Sequence, residues 1–442
     1  MGVNQSQFSE ENVHLKGLNN EKFNETPQYF QIDNYKIKEI SKISEGGFGY
    51  IWRAVELESQ QEIAVKRMIC STEEQYNVAK QELNILKHLP HHQNVVEFYT
   101  GKLIETVNSQ GQKVHIGVFI MELCDNSLQS QIEKKIKFYE ENSNNKNMTF
   151  EDLFFNENFI ISVISQISMG IDQMHTVMNP SITHRDIKVD NVLIKDNVYK
   201  IVDFGSSSEQ IVDLKNLDKK QKSKQQEIFD SLTTLMYRPP EMCDTMLNYK
   251  VNQKVDIWMM GCILYTMMFL EHPFKEQEIL KIISGGYNFM DADFRKQLKY
   301  SKWLYLLLVQ MLTPNPQERI NIQSILKYTW DWQNHVDQDN QEWVDTISDW
   351  QLEKLNSIGL FKDIKKNNKN TNIIKNEQNH NQKMEFQQQR QEEIKNWQNE
   401  FEDNNCNLQS QQKNECNKEL QKQKSNNQEE DWGDFEEAQV QN

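Results

Sequence analysis

Cysteine is scarce and scattered in this chain. Cys70, Cys124, Cys243, Cys262, Cys406 and Cys416 fall at no metal-ligand spacing and form no dense framework. Free thiols in a reducing compartment are therefore expected, with no structural disulfide and no zinc. A long basic run is also missing: 65 Asp and Glu face 49 Lys and Arg, a net charge of -16, so nucleic acid is not the expected partner. No apolar stretch reaches the roughly 20 residues that span a bilayer. The most apolar, IWMMGCILYTMMFL from Ile257 to Leu270, follows Asp256 and reads as a buried helix of a soluble domain. Residues 3 to 30 are polar, which argues against a secretory signal, and no internal repeat stands out.

What is present divides into zones. Residues 1–32 read as a loose, disordered leader, 33–332 as the zone whose apolar periodicity can build a core, and 361–442 as a disordered Asn/Gln-rich tail. Between them, 333–360 carries Trp343, Trp350, Leu352 and Leu355 and reads as a short helix packed on the domain. YKIKEISKI, GYIWRAVEL and EIAVKRMI make three antiparallel strands, and Glu73 to Leu89 follows as a helix. VEFYTGKLIETV and KVHIGVFIMEL are two more strands; from Leu128 the pattern turns helical, interrupted by the polar insertion at 140–147. A β-rich part before a helical part is an α+β order. The start MGVNQS also makes Gly2 a candidate for myristoylation and peripheral membrane association, although no basic cluster nearby supplies a second membrane signal.

The strongest chemical signal is THRDIKVDNVLI, Thr183 to Ile194. Phosphoryl transfer needs a carboxylate to orient the attacking hydroxyl, a cation near the transferred group, and oxygen ligands for magnesium. Asp186, Lys188 and Asn191 are those three types in the spacing HRDxKxxN. Further on, KIVDFG places Asp203 after a short apolar strand, where it can bridge metal and phosphates.

With SEGGFGYIW, DFGSSS and TTLMYRPPEM, these motifs stand in the order of a eukaryotic protein kinase. Within kinases the sequence resembles the Numb-associated or adaptor-associated group, which includes the cyclin-G-associated kinase. The resemblance implies a bilobal kinase fold, with a β-rich lobe over 33–123, a helical lobe over 124–332, and ATP and Mg2+ as cofactors. It places Lys66 of IAVK at the α- and β-phosphates with Glu82 as its counter-ion, Asp186 and Lys188 in catalysis, and Asn191 and Asp203 on the metal.

The glycine-rich loop has Ser44 where the first glycine of GxGxxG would stand. Closest approach to phosphate is expected at Gly46 and Gly49, so Ser44 costs little. Gly47 adds freedom, and Phe48 at the tip can exclude water. Ile43 and Ile51 flank the loop. FIMELC, Phe119 to Cys124, is the expected hinge: backbone groups of Glu122 and Cys124 meet the adenine edge, Met121 stands behind, and Ala64 and Leu193 sandwich the ring. Cys124 reads as a small buried hydrophobe rather than a reactive thiol.

Two ion-binding arrangements read as scaffold. Asp256 is expected to accept hydrogen bonds from the HRD backbone, and Glu241 to pair with Arg319. Lys188 and Thr234 resemble the pattern of serine/threonine kinases, which implies protein Ser/Thr substrates. Ser206, Ser207, Ser208, Ser223, Ser231 and Thr233 are candidate modified hydroxyls in a loop, with Arg185 as the group to bind one; solvated hydroxyls are the simpler reading.

In the tail, Met384, Phe386, Ile394, Trp397 and Phe401 are spaced for one amphipathic helix. The end, DWGDFEEAQVQN, sets Trp432 and Phe435 among carboxylates and resembles the acidic aromatic peptides bound by clathrin-adaptor appendage domains. By resemblance the chain is expected in the cytoplasm, at endocytic or Golgi membranes. Two other readings stay open: a pseudokinase or scaffold that only binds, and a small-molecule kinase, which the long segment ending in YRPPE disfavours.

Overall fold

The computed structural model describes residues 27–46, 49–107, 112–276, 278–289, 300–334 and 346–357. Its first layer is an antiparallel sheet. Strands β1 (Tyr29–Ile32), β2 (Tyr35–Gly46), β3 (Gly49–Glu56) and β4 (Glu62–Cys70) are followed by helix α1 (Glu73–His88), β5 (Phe98–Val107) and β6 (Lys113–Glu122), in the sheet order β1-β2-β3-β4-β6-β5. Alternation puts Phe30, Ile32, Ile37, Trp52, Ala54, Val65, Val118 and Ile120 into one core on one face. α1 starts on a capping box between Thr72 and Gln75 and buries Ala79, Glu82, Leu83, Ile85 and Leu86. That face turns Glu82 towards the sheet.

The loose leader expected over 1–32 ends sooner than the sequence reading has it. Tyr29–Ile32 is a strand, paired with β2 from Tyr29↔Lys38 to Ile32↔Tyr35. Phe30 and Ile32 are both buried, so a mere four residues contribute two core side chains. Asp33, in the left-handed region at φ 51°, makes the tight turn between them.

The second layer is mostly helical. After β7 (Asn126–Ser127) come α2 (Leu128–Asn142), α3 (Phe150–Leu153) and α4 (Glu157–Asp172), then β8 (Val192–Lys195), β9 (Val198–Ile201) and β10 (Val212–Asp213). α5 (Lys219–Leu232), α6 (Pro240–Cys243), β11 (Lys250–Val251), α7 (Lys254–Phe269), α8 (Ile279–Ser284), α9 (Lys302–Met311), α10 (Ile322–Gln333) and α11 (Asp349–Ser357) complete the described chain. The apolar run is α7, buried on every side from Val255 to Phe269. The polar insertion begins as the last turn of α2, capped at Ser143. Among the described residues, no helix is long and apolar enough to cross a membrane.

α5 corrects the expectation of a loop between Ser206 and Thr233. Asp218 and Gln221 form a capping box at its start, and Phe229 anchors it by burial. The extension expected at 333–360 is a helix over 349–357: Leu355 and Gln351 are buried, and Gln351 Nε2 donates to Thr313 Oγ1 at 2.8 Å. Lys354 Nζ donates to the carbonyls of Gly285 and Tyr287 at 3.1 and 2.6 Å, which fastens α11 to the turn after α8. Trp343 lies outside the described residues.

Candidate active site

The loop between α4 and β8 takes its shape from one buried carboxylate. His184 N and Arg185 N each donate to Asp256 at 2.8 Å, as the sequence reading expected, and His175 Nε2 lies 2.8 Å from the same side chain. Burial opposes ionisation of Asp256, but these donors outweigh it and hold its carboxyl below the usual range. The bonds also keep Arg185 in the left-handed backbone region at φ 67°. Asp186 is thereby presented at a fixed point, with the His184 ring against Phe204 at 5.2 Å between centroids.

Around Asp186 the expected residues converge. Asn191 Nδ2 donates to the Asp186 carbonyl at 2.8 Å and to Oδ2 at 3.1 Å, and Lys188 Nζ is 2.9 Å from Oδ2. Thr234 supplies two further donors to Oδ1, its N–H at 3.1 Å and its hydroxyl at 2.9 Å, and Lys188 Nζ reaches the same hydroxyl at 2.8 Å. Thr234 is 48 positions further along the chain, so its part in holding the carboxylate is not visible in local spacing.

A second cluster joins the two layers. Lys66 Nζ lies 2.6 Å from Glu82 Oε1 and 2.8 Å from Asp203 Oδ1, with Phe119 beneath it at 5.8 Å. Burial works against the Lys66 charge, yet Asp203 and Glu82 together push its affinity for the proton up. Burial likewise opposes the Asp203 carboxylate, and Lys66 overcomes it, drawing the group down to about 2. For Glu82, burial dominates and holds the carboxyl above its usual value against the pull of Lys66. Asp203 sits at φ 65° and Gly205 N donates to its Oδ1 at 3.4 Å. Gln81 Nε2 donates to the Ser207 carbonyl at 2.5 Å, a tie between α1 and the chain after DFG that the sequence reading missed.

In the glycine loop, β2 and β3 pair out to Gly46↔Gly49. Gly47 and Phe48 lie outside the described residues. Gly49 has its own reason to be glycine: at φ 148°, a Cβ there would come within 1.9 Å of the Arg67 carbonyl oxygen. Ile51 pairs with Lys66 and Ala64 with Met121, so these stand side by side on the sheet, while Ile43 is exposed and Leu193 lies on β8 opposite Ser127.

At the passage between layers, the structure refines the expected hinge. Glu122 N already donates to the Glu97 carbonyl at 2.9 Å, so for an adenine edge only its carbonyl is left. Its buried carboxylate accepts from Glu97 N at 2.7 Å and meets Lys195 and Lys200 at 3.1 and 2.9 Å. Burial pushes the Cys124 thiol up to about 12, reinforced by Glu122, which leaves it inert.

The expected scaffold pair is bidentate: Arg319 Nη1 and Nη2 reach Glu241 at 2.7 and 2.9 Å, both side chains fully buried. Arg319 Nε also donates to the Thr313 carbonyl at 2.9 Å, and its guanidinium lies 5.2 Å from the Trp258 ring. Of the candidate modified hydroxyls, Ser206 and Ser207 are buried and donate to the carbonyls of Leu232 and His184, whereas Ser223 and Ser231 are exposed on α5. Arg185 donates to the Gln210 carbonyl at 2.5 Å, and burial draws its guanidinium down to about 10. Gly2, Trp432 and Phe435 lie outside the described residues.

The donor set suits a hard cation. Asn191 spends its amide nitrogen on Asp186, which leaves its oxygen, and Asp203 is an ionised carboxylate beside it in the fold. Among the described residues no group of three or more His, Cys, Asp and Glu forms a metal cage, and magnesium held partly by substrate phosphates needs none.

Comparison with known proteins agrees with this geometry. A family model described as "Protein kinase domain" matches residues 37–331. Two proteins of Dictyostelium discoideum, each named "Probable serine/threonine-protein kinase", are 30% identical over 298 residues and 29% over 303, covering 66% and 68% of this chain but 24% and 34% of their own lengths. "Actin-regulating kinase 1" of Saccharomyces cerevisiae is 29% identical over 303 residues, which is 67% of this chain and 44% of that protein. The matched region thus spans less than half of each of these relatives.

Proposed function

Because the chain belongs to the protein kinase domain family, we propose that it transfers the γ-phosphoryl group of ATP to serine or threonine hydroxyls of proteins. The observation that carries this reading is the set of four bonds to the Asp186 carboxylate. Its oxygens are aimed by Thr234, Asn191 and Lys188 to accept from one more hydroxyl, that of a substrate. Lys188, hydrogen-bonded between Asp186 and Thr234, steadies the negative charge of the group in transit. Lys66, clamped by Glu82, grips the ATP phosphates. Asp203 and Asn191 would hold magnesium, whose chemistry there is charge neutralisation across those phosphates.

The finer reading is that the chain acts on endocytic, clathrin-adaptor or actin-regulating proteins, as a cytoplasmic enzyme recruited to coated endocytic or Golgi membranes. What supports it is the resemblance to the Numb-associated and adaptor-associated kinases. The names of two Saccharomyces cerevisiae relatives, "Actin-regulating kinase 1" and "Actin-regulating kinase PRK1", point the same way. Trp432 and Phe435 in DWGDF suit an adaptor appendage, and Gly2 suits an acyl anchor.

The experiment is γ-phosphate transfer by the full chain to matched Ser, Thr and Tyr peptides, beside Asp203→Ala. Transfer to Ser and Thr that the variant abolishes is expected. Equal backgrounds for both proteins would leave a binding scaffold as the answer.

A further inference from the structure

Beside the acceptor site runs a groove with a cavity of about 630 Å³ that phosphate transfer itself does not use. One wall is a single face of α5, from Lys219 through Ser223 and Gln226 to Asp230; the other is formed by Leu235, Met246 and Ile279. Its near end is the catalytic end, because Leu235 follows directly on Thr234, whose hydroxyl bonds Asp186. Its far end is Lys219, which lies about 16 Å from Asp230 along the helix at the α-helical rise.

The apolar wall is open to solvent: Met246 is 53% exposed and Ile279 40%, with Leu280 beside it at 82%. The charges are uneven in availability. Asp230 is taken by Arg238, and Asp244 accepts from Met246 N at 2.8 Å. Lys219 is exposed and meets no carboxylate among the described residues, and Lys220 and Lys224 stand exposed on the same helix. In a chain of net charge -16, this is an apolar trough with a cationic far rim.

We propose that this groove selects protein substrates: it takes an apolar side chain of the substrate against Met246 and Ile279, and an acidic residue further along the substrate chain from the acceptor against Lys219. The occupant is therefore an extended, acidic segment of the protein being phosphorylated. This rests on the kinase reading above, since it names the substrate class of that same site.

The test uses the full chain and a peptide set in which acidic, basic and apolar residues are scanned across seven or so positions on each side of one Ser acceptor. Selection for an apolar residue followed by an acidic one, on one side only, is expected. Lys219→Glu raises KM for the acidic peptide about fivefold and leaves kcat unchanged, and a peptide with Lys at that position restores it. Met246→Asp, at an exposed position where folding is not at stake, raises KM about tenfold. Flat selectivity, or a KM that neither variant moves while transfer proceeds, overturns the groove. No transfer to any peptide overturns the kinase reading instead, and this proposal falls with it.

Discussion

The Thr234 hydroxyl donates to Asp186 Oδ1 at 2.9 Å while accepting from Lys188 Nζ at 2.8 Å, so one side chain of the segment after α5 bridges both residues of the catalytic loop. A half-buried hydroxyl between two charges is worth more than a neutral hydrogen bond, about 1.5–3 kcal/mol. It acts by position: without it, Asp186 and Lys188 keep each other as partners and Oδ1 is held by the Thr234 N–H alone, at 3.1 Å.

Thr234→Val keeps the shape and removes the hydroxyl. The expected result is a kcat about tenfold lower or worse with the ATP KM unchanged, and near-full activity for Thr234→Ser. Steady-state kinetics on a Ser peptide checks it; a valine variant with wild-type kcat would remove Thr234 from the machinery.

Lys66→Met strips the ammonium from a nearly buried carboxylate, Glu82 at 1% exposure. Transfer is expected to fall by at least about a hundredfold. The variant also melts below the wild type, because Glu82 is left without its cation, and adding Glu82→Gln recovers part of that loss without recovering activity. Differential scanning calorimetry beside a transfer assay separates the two effects.

Arg319→Met leaves Glu241 buried and uncompensated, at an expected cost of about 3–5 kcal/mol. The double variant Arg319→Met, Glu241→Leu is expected to lose less than the single one. Urea unfolding of the set gives the answer, and additive losses would mean the two residues act separately.

pH acts on Glu39, whose buried carboxyl lies 3.2 Å from Arg67 Nε. Burial pushes it up to about 7 against the pull of Arg67. The folded state therefore holds this proton more tightly than the unfolded chain does, so stability falls as pH rises from about 4.5 to about 7, by about 3 kcal/mol at most. Glu39→Gln cannot titrate. The variant should gain on the wild type across that window and run parallel to it above pH 7, as thermal melts at several pH values will read.

The catalytic residues were legible because their chemistry is compressed into short motifs. HRDIKVDN and VDFG carry Asp186, Lys188, Asn191 and Asp203 within a few turns of chain, and the structure brings each to the expected cluster. Strands β2 to β6 were legible through alternation of apolar residues. α5 was not, because the helix shows no apolar stripe: Phe229 and the stem of Lys222 are its buried residues, and its start is set by a cap. β1 was too short for its alternation to stand out from the polar residues before it. The bonds of Thr234 and the inward turn of the Glu122 carboxylate are long-range facts, 48 and 73 positions from their partners Asp186 and Lys195, and no local pattern encodes them.

Glu122 has a mechanical consequence as well. Its N–H is fixed to Glu97, and three positions on, Asp125 N is fixed to the Ile194 carbonyl at 2.8 Å. Within this connecting stretch, Leu123 and Cys124 are the two residues between the fixed points. The carboxylate crosses that stretch on the long stems of Lys195 and Lys200, which bend without letting go of their charge. The two halves are joined there by a short axle and an elastic leash, beside a fixed seam in which Val96 N donates to the Ile201 carbonyl and Ile201 N to the Asn94 carbonyl, both at 2.9 Å.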